Sequence, residues 1–427
     1  MPGHDQNRDR VHNVVTGPVL APLVQAGTIT GGVHVTPHVT PVPRQLPAPP
    51  AGFTGRRHEL TRLTELLDDA ADRGGTVLIS ALSGVGGIGK TWLALHWAHR
   101  NADRFPDGQL FVDLRGFASD GAPLSAEAAM RGFLTGLGVA PDRVPPEPGA
   151  QVGLYRSLVA DRRVLVVLDN AADTGQVAPL LPGSTSCAVL VTSRHHLPGL
   201  LTGHGAHALV LTELSDTEAR RLLERRLGPD RLAAEPEATA ELLTCCAGLP
   251  LALGIVAGRA LAHPDLPLAV LAAELRDVTT RLTALDEEDS PANLTAVLSW
   301  SHAALPPDRA EAFALLGIAP GTGFGPESAA TTTGLNPTGT AVLLRALERA
   351  SLTQQPSPGR YRLHDLVRLH AADRAVRDLP DRVAPALRRL VDHYLCPDRS
   401  DSSDSGPTFR ATLRVFGPTV RVAVGRW

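Results

Sequence analysis

The segment Gly84-Val85-Gly86-Gly87-Ile88-Gly89-Lys90-Thr91 constrains this chain more than any other, because it matches GxxxxGK[ST] at every fixed position. It lies between an apolar run at 76–82 and a helix-forming stretch at 91–100, the strand–loop–helix setting that the motif requires. Each part has a physical reason. Glycines reach backbone angles that turn several N–H groups toward one anion. The start of the following helix adds partial positive charge. Lys90 can reach the β- and γ-phosphates of a nucleotide, and the Thr91 hydroxyl can ligate Mg2+. Of 41 basic residues, Lys90 is the one lysine; the rest are arginine. A chain so biased that keeps lysine here needs a compact ammonium rather than a planar fork.

Around this loop, short apolar runs at 76–82, 109–114, 163–169 and 188–192 read as strands covered on both faces. Helix-like stretches at 91–100, 125–137 and 151–160 lie between them. The alternation predicts an α/β fold, a parallel sheet with right-handed crossovers. The run at 163–169 ends in Asp169, placed to hold Mg2+ directly or through water. Asn170 follows where a second acid would orient water, so fast turnover is not expected. A third strand ends in Thr192-Ser193-Arg194, and a guanidinium there can distinguish ATP from ADP at the γ-phosphate.

With 427 residues the chain is too long for one core, and two to four domains are expected. A net charge of −3 gives no global pull toward nucleic acid or membrane. The N-terminus is polar, and no apolar run approaches the roughly 18 residues of a membrane span. Cys187, Cys245, Cys246 and Cys396 do not make a disulfide scaffold in a chain this long, and a cytoplasmic setting is expected. Residues 1–50 read as a Gly/Pro-rich leader with short hairpins and an extended linker. From 215 the pattern turns helical, with apolar spacing near 3.6 at 218–226, 238–247 and 251–261. Cys245 and Cys246 read as core residues of one of these helices. His195, His196, His204 and His207 have no Cys or acid at ligand spacing and read as loop histidines.

The chain from 51 to 395 resembles the NB-ARC group of the STAND class of P-loop signalling NTPases, on several segments in order. Phe53-Thr54-Gly55-Arg56 resembles the lead-in that packs around adenine. Phe111 to Leu114 resembles the strand after the first helix. Gly248-Leu249-Pro250-Leu251-Ala252-Leu253 resembles the segment whose proline abuts the base. Leu363-His364-Asp365 resembles the MHD motif, in which the histidine touches the β-phosphate of ADP; leucine replaces the methionine at similar volume. The resemblance implies a nucleotide-binding domain at 51–212, a helical (ARC1-like) domain at 213–290 and a winged-helix (ARC2-like) domain at 291–395, with a tail of unknown structure at 396–427. The leader resembles one found before such domains in actinobacterial proteins. A repeat sensor, usual in the group, is not apparent.

The expected cofactors are ADP or ATP with Mg2+. The expected binding set is Phe53, Gly55, Arg56, Gly84, Gly86, Gly87, Ile88, Gly89, Lys90, Thr91, Trp92, Pro250 and His364. Lys90, Asp169 and Arg194 act at the phosphates, and Thr91 and Asp169 hold the metal. The resemblance implies a switch, closed on ADP and opening on ATP toward self-association or a protein partner, with slow hydrolysis at most. The alternative is a DNA-binding transcriptional regulator using the winged helix, where Arg345, Arg349, Arg360, Arg362, Arg368 and Arg374 lie among Glu348, Asp365 and Asp373.

Overall fold

The run Leu165-Val166-Val167-Leu168 is apolar at every position because both of its faces are covered. In the computed structural model, Leu165 and Val167 join Ala188 and Leu190 in one buried cluster. Val166 and Leu168 join Val189 and Val191 in another, on the opposite face. The structure describes residues 41–73, 78–117, 122–278, 280–286, 293–321 and 323–395, so most of the expected leader and the whole tail at 396–427 lie outside the described residues.

Five strands form one parallel sheet: β1 (Leu78–Ser83), β2 (Gln109–Asp113), β3 (Leu165–Ala171), β4 (Ala188–Ser193) and β5 (His207–Val210). Their order is β2-β3-β4-β1-β5. β5 is absent from the strands expected above, although Ala208-Leu209-Val210-Leu211 is apolar; it is a four-residue edge strand with three residues exposed. The helices Arg57–Arg73 and Lys90–Arg100 cover one face through Leu63, Leu66, Leu93 and Trp97. The helices Ala126–Gly136 and Pro148–Val159 cover the other through Met130, Phe133 and Tyr155. Part of the proline-rich linker runs beside β2, where the Gln109 amide donates to the Pro43 carbonyl at 2.7 Å. Because β4 lies between β1 and β3, the carboxyl ends of these strands bring the loop after β1, Asp169 and Thr192 to Arg194 together.

The chain then becomes helical. The helix Asp216–Leu227 starts with a capping box between Ser215 and Glu218, and is followed by Pro236–Cys246, Pro250–Ala262 and Leu268–Arg276. Cys245 and Cys246 are both buried in this region. Beyond the helix Leu294–Ala303 come Pro307–Gly317, Pro326–Thr333 and Pro337–Arg349. An antiparallel pair, β6 (Gln354–Ser357) and β7 (Arg360–Arg362), leads into Asp365–Asp378 and Pro380–Leu395. One buried cluster continues from Leu82 and Ile88 at the sheet, through Leu253 and Ile255, to Leu316, Leu344 and Leu366. The sheet's loop-bearing side and the helical parts therefore share a core. Among the described residues, no helix is long and apolar enough to cross a membrane.

Candidate functional site

Gly87 and Gly89 take positive φ, which lets the loop curl and deliver Lys90 to the first position of its helix. The Lys90 Nζ donates to the carbonyls of Gly84 at 2.7 Å and Val85 at 3.0 Å. Burial, with the Arg194 guanidinium nearby, pulls this ammonium down to about 7 against the opposing pull of Asp169. The Thr91 hydroxyl donates to Asp169 Oδ1 at 2.8 Å, and the Thr192 hydroxyl donates to the same oxygen at 2.5 Å. Burial pushes the Asp169 carboxyl up, and these two hydroxyls partly offset it. Asn170 has a φ of 56°, a conformation that asparagine tolerates, and its amide N–H donates to the Thr192 hydroxyl. Thr91 and Asp169 thus put hard oxygen donors side by side, the type of set that suits Mg2+.

Arg194 is 8% exposed at the end of β4. Its Nη1 donates to the Val297 carbonyl at 2.5 Å and to Ser301 Oγ at 3.1 Å. Its guanidinium also lies 5.1 Å from the Trp300 ring centroid and 5.4 Å from that of Phe117. Desolvation pulls it down to about 10, so it stays charged near neutral pH.

These groups face a cavity of about 610 Å3, within the range of small-molecule sites. Its polar lining includes Lys90, Thr91, Asp169, Asn170, Thr192 and Arg194. Two buried cations and one acid whose ionisation burial opposes make this group suited to an anion. Its apolar lining includes Phe53, Trp92, Leu214, Leu222, Leu251 and Ile255, with Phe117, Val297 and Trp300 around Arg194. Phe53 is fixed by stacking on His96, with ring centroids 4.2 Å apart, and Arg226 lies 5.9 Å over the Trp92 ring. The helix Pro250–Ala262 begins against the loop, with the Leu251 amide donating to the Gly87 carbonyl at 3.2 Å. A Cβ on Gly87 would sit 2.9 Å from that of Leu251, so only glycine permits this approach.

Of the residues expected from sequence, Phe53, Arg56, Gly86, Gly87, Ile88, Gly89, Lys90, Thr91, Trp92, Asp169, Arg194 and Pro250 line the cavity, whereas Gly55, Gly84 and His364 do not. Gly55 packs on Glu218, and Gly84 on the Leu211 carbonyl. Arg56 spends its guanidinium on structure, donating to Glu59 Oε1 at 2.9 Å and to the carbonyls of Ile88 at 3.2 Å and Thr212 at 2.6 Å. His364 departs most from expectation. Its Nε2 lies 3.0 Å from the Ala247 carbonyl, and its Nδ1 accepts from the Leu366 amide at 3.1 Å, capping the helix that follows. Both ring nitrogens are engaged by the chain itself, one step back from the cavity and just ahead of the Gly248–Pro250 turn. Sequence reasoning missed Phe117, Thr192, Val297 and Trp300. Thr192 had a usable signal, being a hydroxyl two residues before Arg194 on the central strand.

The sheet, the loop and the helix that it opens are those of a P-loop NTPase. A Walker-type ATPase of Pyrococcus abyssi shares the fold at a TM-score of 0.50 and 13% identity, over 75% of this chain and 95% of that one. The regulatory protein AfsR of Streptomyces coelicolor is 40% identical over 402 residues, which are 92% of this chain and 39% of that protein. The AfsR of Streptomyces griseus is 42% identical over 355 residues, 83% of this chain and 36% of that protein. The chain therefore spans well under half the length of the curated relatives it matches. No family model matches the chain.

Proposed function

We propose that this chain is the adenine-nucleotide switch module of a regulatory protein of the STAND type, similar to the corresponding part of AfsR. The observation that carries this reading is that one cavity is lined by the phosphate loop, by the first turn of the Pro250–Ala262 helix and by Val297 and Trp300 of the Leu294–Ala303 helix. A ligand whose charge differs by one phosphate then interacts with three successive parts of the chain, and that difference can bias their arrangement. In this reading Lys90 and the loop amides hold the phosphates and Arg194 meets the third one. Thr91 and Asp169 hold Mg2+, which would neutralise phosphate charge when bound. The apolar lining around Phe53 takes the base. The parts correspond to the nucleotide-binding, helical and winged-helix domains of the NB-ARC pattern, the last taken as residues 291–395, which include the Leu294–Ala303 helix, the three helices from Pro307 to Arg349 and the β6–β7 hairpin. His364 acts as a latch through the Ala247 carbonyl rather than through a phosphate.

The test compares the chain saturated with ADP and with a β,γ-imido analogue of ATP by limited proteolysis and sedimentation. Different cleavage patterns or sizes are expected; identical behaviour would remove the switch. Hydrolysis is expected to be slow, because Asn170 stands where a base would activate water. The DNA-binding alternative has less free charge than the sequence suggests, since Arg362 pairs with Glu213 and Arg374 with Asp378. A salt-dependent gel shift at low ionic strength would restore it.

A further inference from the structure

Arg194 is a buried cation whose charge is met by a carbonyl, a hydroxyl and two aromatic faces. Three of these four partners lie on one helix, Leu294–Ala303, more than a hundred positions later in the chain. The same helix presses on the phosphate loop. A Cβ on Gly86 would lie 2.7 Å from Val297 Cγ1 and 3.1 Å from Arg194 Nη1. The nitrogen that Val297 and Ser301 hold is therefore the one beside the loop.

We propose that Ser301 and Trp300 are positioning residues which, with the Val297 carbonyl, hold Arg194 and set the site's preference between nucleoside diphosphate and triphosphate. The inference rests on the nucleotide reading above. A phosphate carried on beyond the loop is an anionic acceptor, and it competes for Nη1 with two neutral oxygens. An ion-assisted bond to phosphate is the stronger one, but it forms only after Nη1 leaves Val297 and Ser301. A diphosphate ends short of this exchange and is indifferent to it. Each group that holds the guanidinium thus lowers affinity for the triphosphate alone. When the guanidinium turns, the Leu294–Ala303 helix loses its main polar tie to the sheet, which links ligand charge to movement of that helix.

The experiment measures dissociation constants of the full chain for ADP and for the β,γ-imido ATP analogue by calorimetry. Ser301→Ala removes one acceptor, and the analogue should bind about fivefold more tightly with ADP unchanged within twofold. Trp300→Leu removes the ring face and shifts the ratio in the same direction, whereas Trp300→Phe retains a face and keeps the wild-type ratio. A merely structural role would move both nucleotides together. Equal changes for both nucleotides, no change in either, or a Trp300→Phe variant behaving like Trp300→Leu would each overturn the proposal. A wild-type chain that binds neither nucleotide would remove the nucleotide reading and this inference together. Wild-type ADP binding with an unmoved ratio in Ser301→Ala would remove this inference alone.

Discussion

Lys90 predicts a proton coupling that can be measured directly. Its ammonium is buried and drawn down to about 7. At pH 8 such a lysine is about nine-tenths neutral before ligand arrives. Phosphate recognition needs the charged form, so binding of ADP at pH 8 should take up about 0.9 proton per nucleotide. The assay is calorimetry in buffers of different ionisation enthalpy, with EDTA present so that metal does not titrate Asp169. Apparent enthalpies should change with buffer at pH 8, where the ADP phosphates are already fully ionised. The same shift appears in stability without ligand. The unfolded chain holds the lysine proton up to about 10.5 and the folded chain only to about 7. Between these values the unfolded state binds more protons, so stability rises with pH by about 1.4 kcal/mol per unit from this group. Below pH 7 both states are protonated and the slope vanishes. Lys90→Met should lose this slope along with nucleotide binding. Buffer-independent enthalpies at pH 8, or a Lys90→Met variant that keeps the slope, would refute the buried-ammonium reasoning.

Other outcomes follow from named contacts. Among the described residues, neither ring nitrogen of His370 has a hydrogen-bond partner, and burial, with His302 and two arginines nearby, draws the ring down to about 3. The unfolded state therefore gains the proton first as pH falls from 6.5 toward 3. Stability should drop across that window by about 1.4 kcal/mol per unit, and His370→Leu should flatten the profile in acid denaturation. Asp169→Asn should abolish the Mg2+-dependent gain in nucleotide affinity while leaving ADP binding in EDTA within threefold of wild type by calorimetry; an unchanged Mg2+ effect would exclude Asp169 as a ligand. Arg56→Lys keeps the charge but cannot reach Glu59, Ile88 and Thr212 at once, so urea unfolding should show a loss of roughly 3 kcal/mol. A wild-type midpoint would show that the fork is not needed.

What the sequence made legible was local. The loop, its strand and its helix are contiguous, and Asp169 announces itself by ending a run buried on both faces. Arg194 was legible as a cation at a strand end, but its setting was not, because Val297 and Ser301 lie 103 and 107 positions away. Only packing of the Leu294–Ala303 helix onto the loop brings them together. The expected strand at 76–82 overlaps β1, whereas β5, a short edge strand overlapping the apolar run Ala208 to Leu211, was not expected. Pattern matching placed His364 near the phosphates. Its ring instead bridges the Ala247 carbonyl and the Leu366 amide, a role set by the αL turn at Ala247 and Gly248 rather than by the histidine's own neighbours.

The most direct measurement is a titration of the purified chain with ADP, alongside Lys90→Ala and alongside analysis of any nucleotide released on denaturation. The switch reading requires one adenine nucleotide per chain, either released from the wild type or bound on addition, and neither from Lys90→Ala. A folded wild-type chain that releases none and binds neither ADP nor ATP would contradict it.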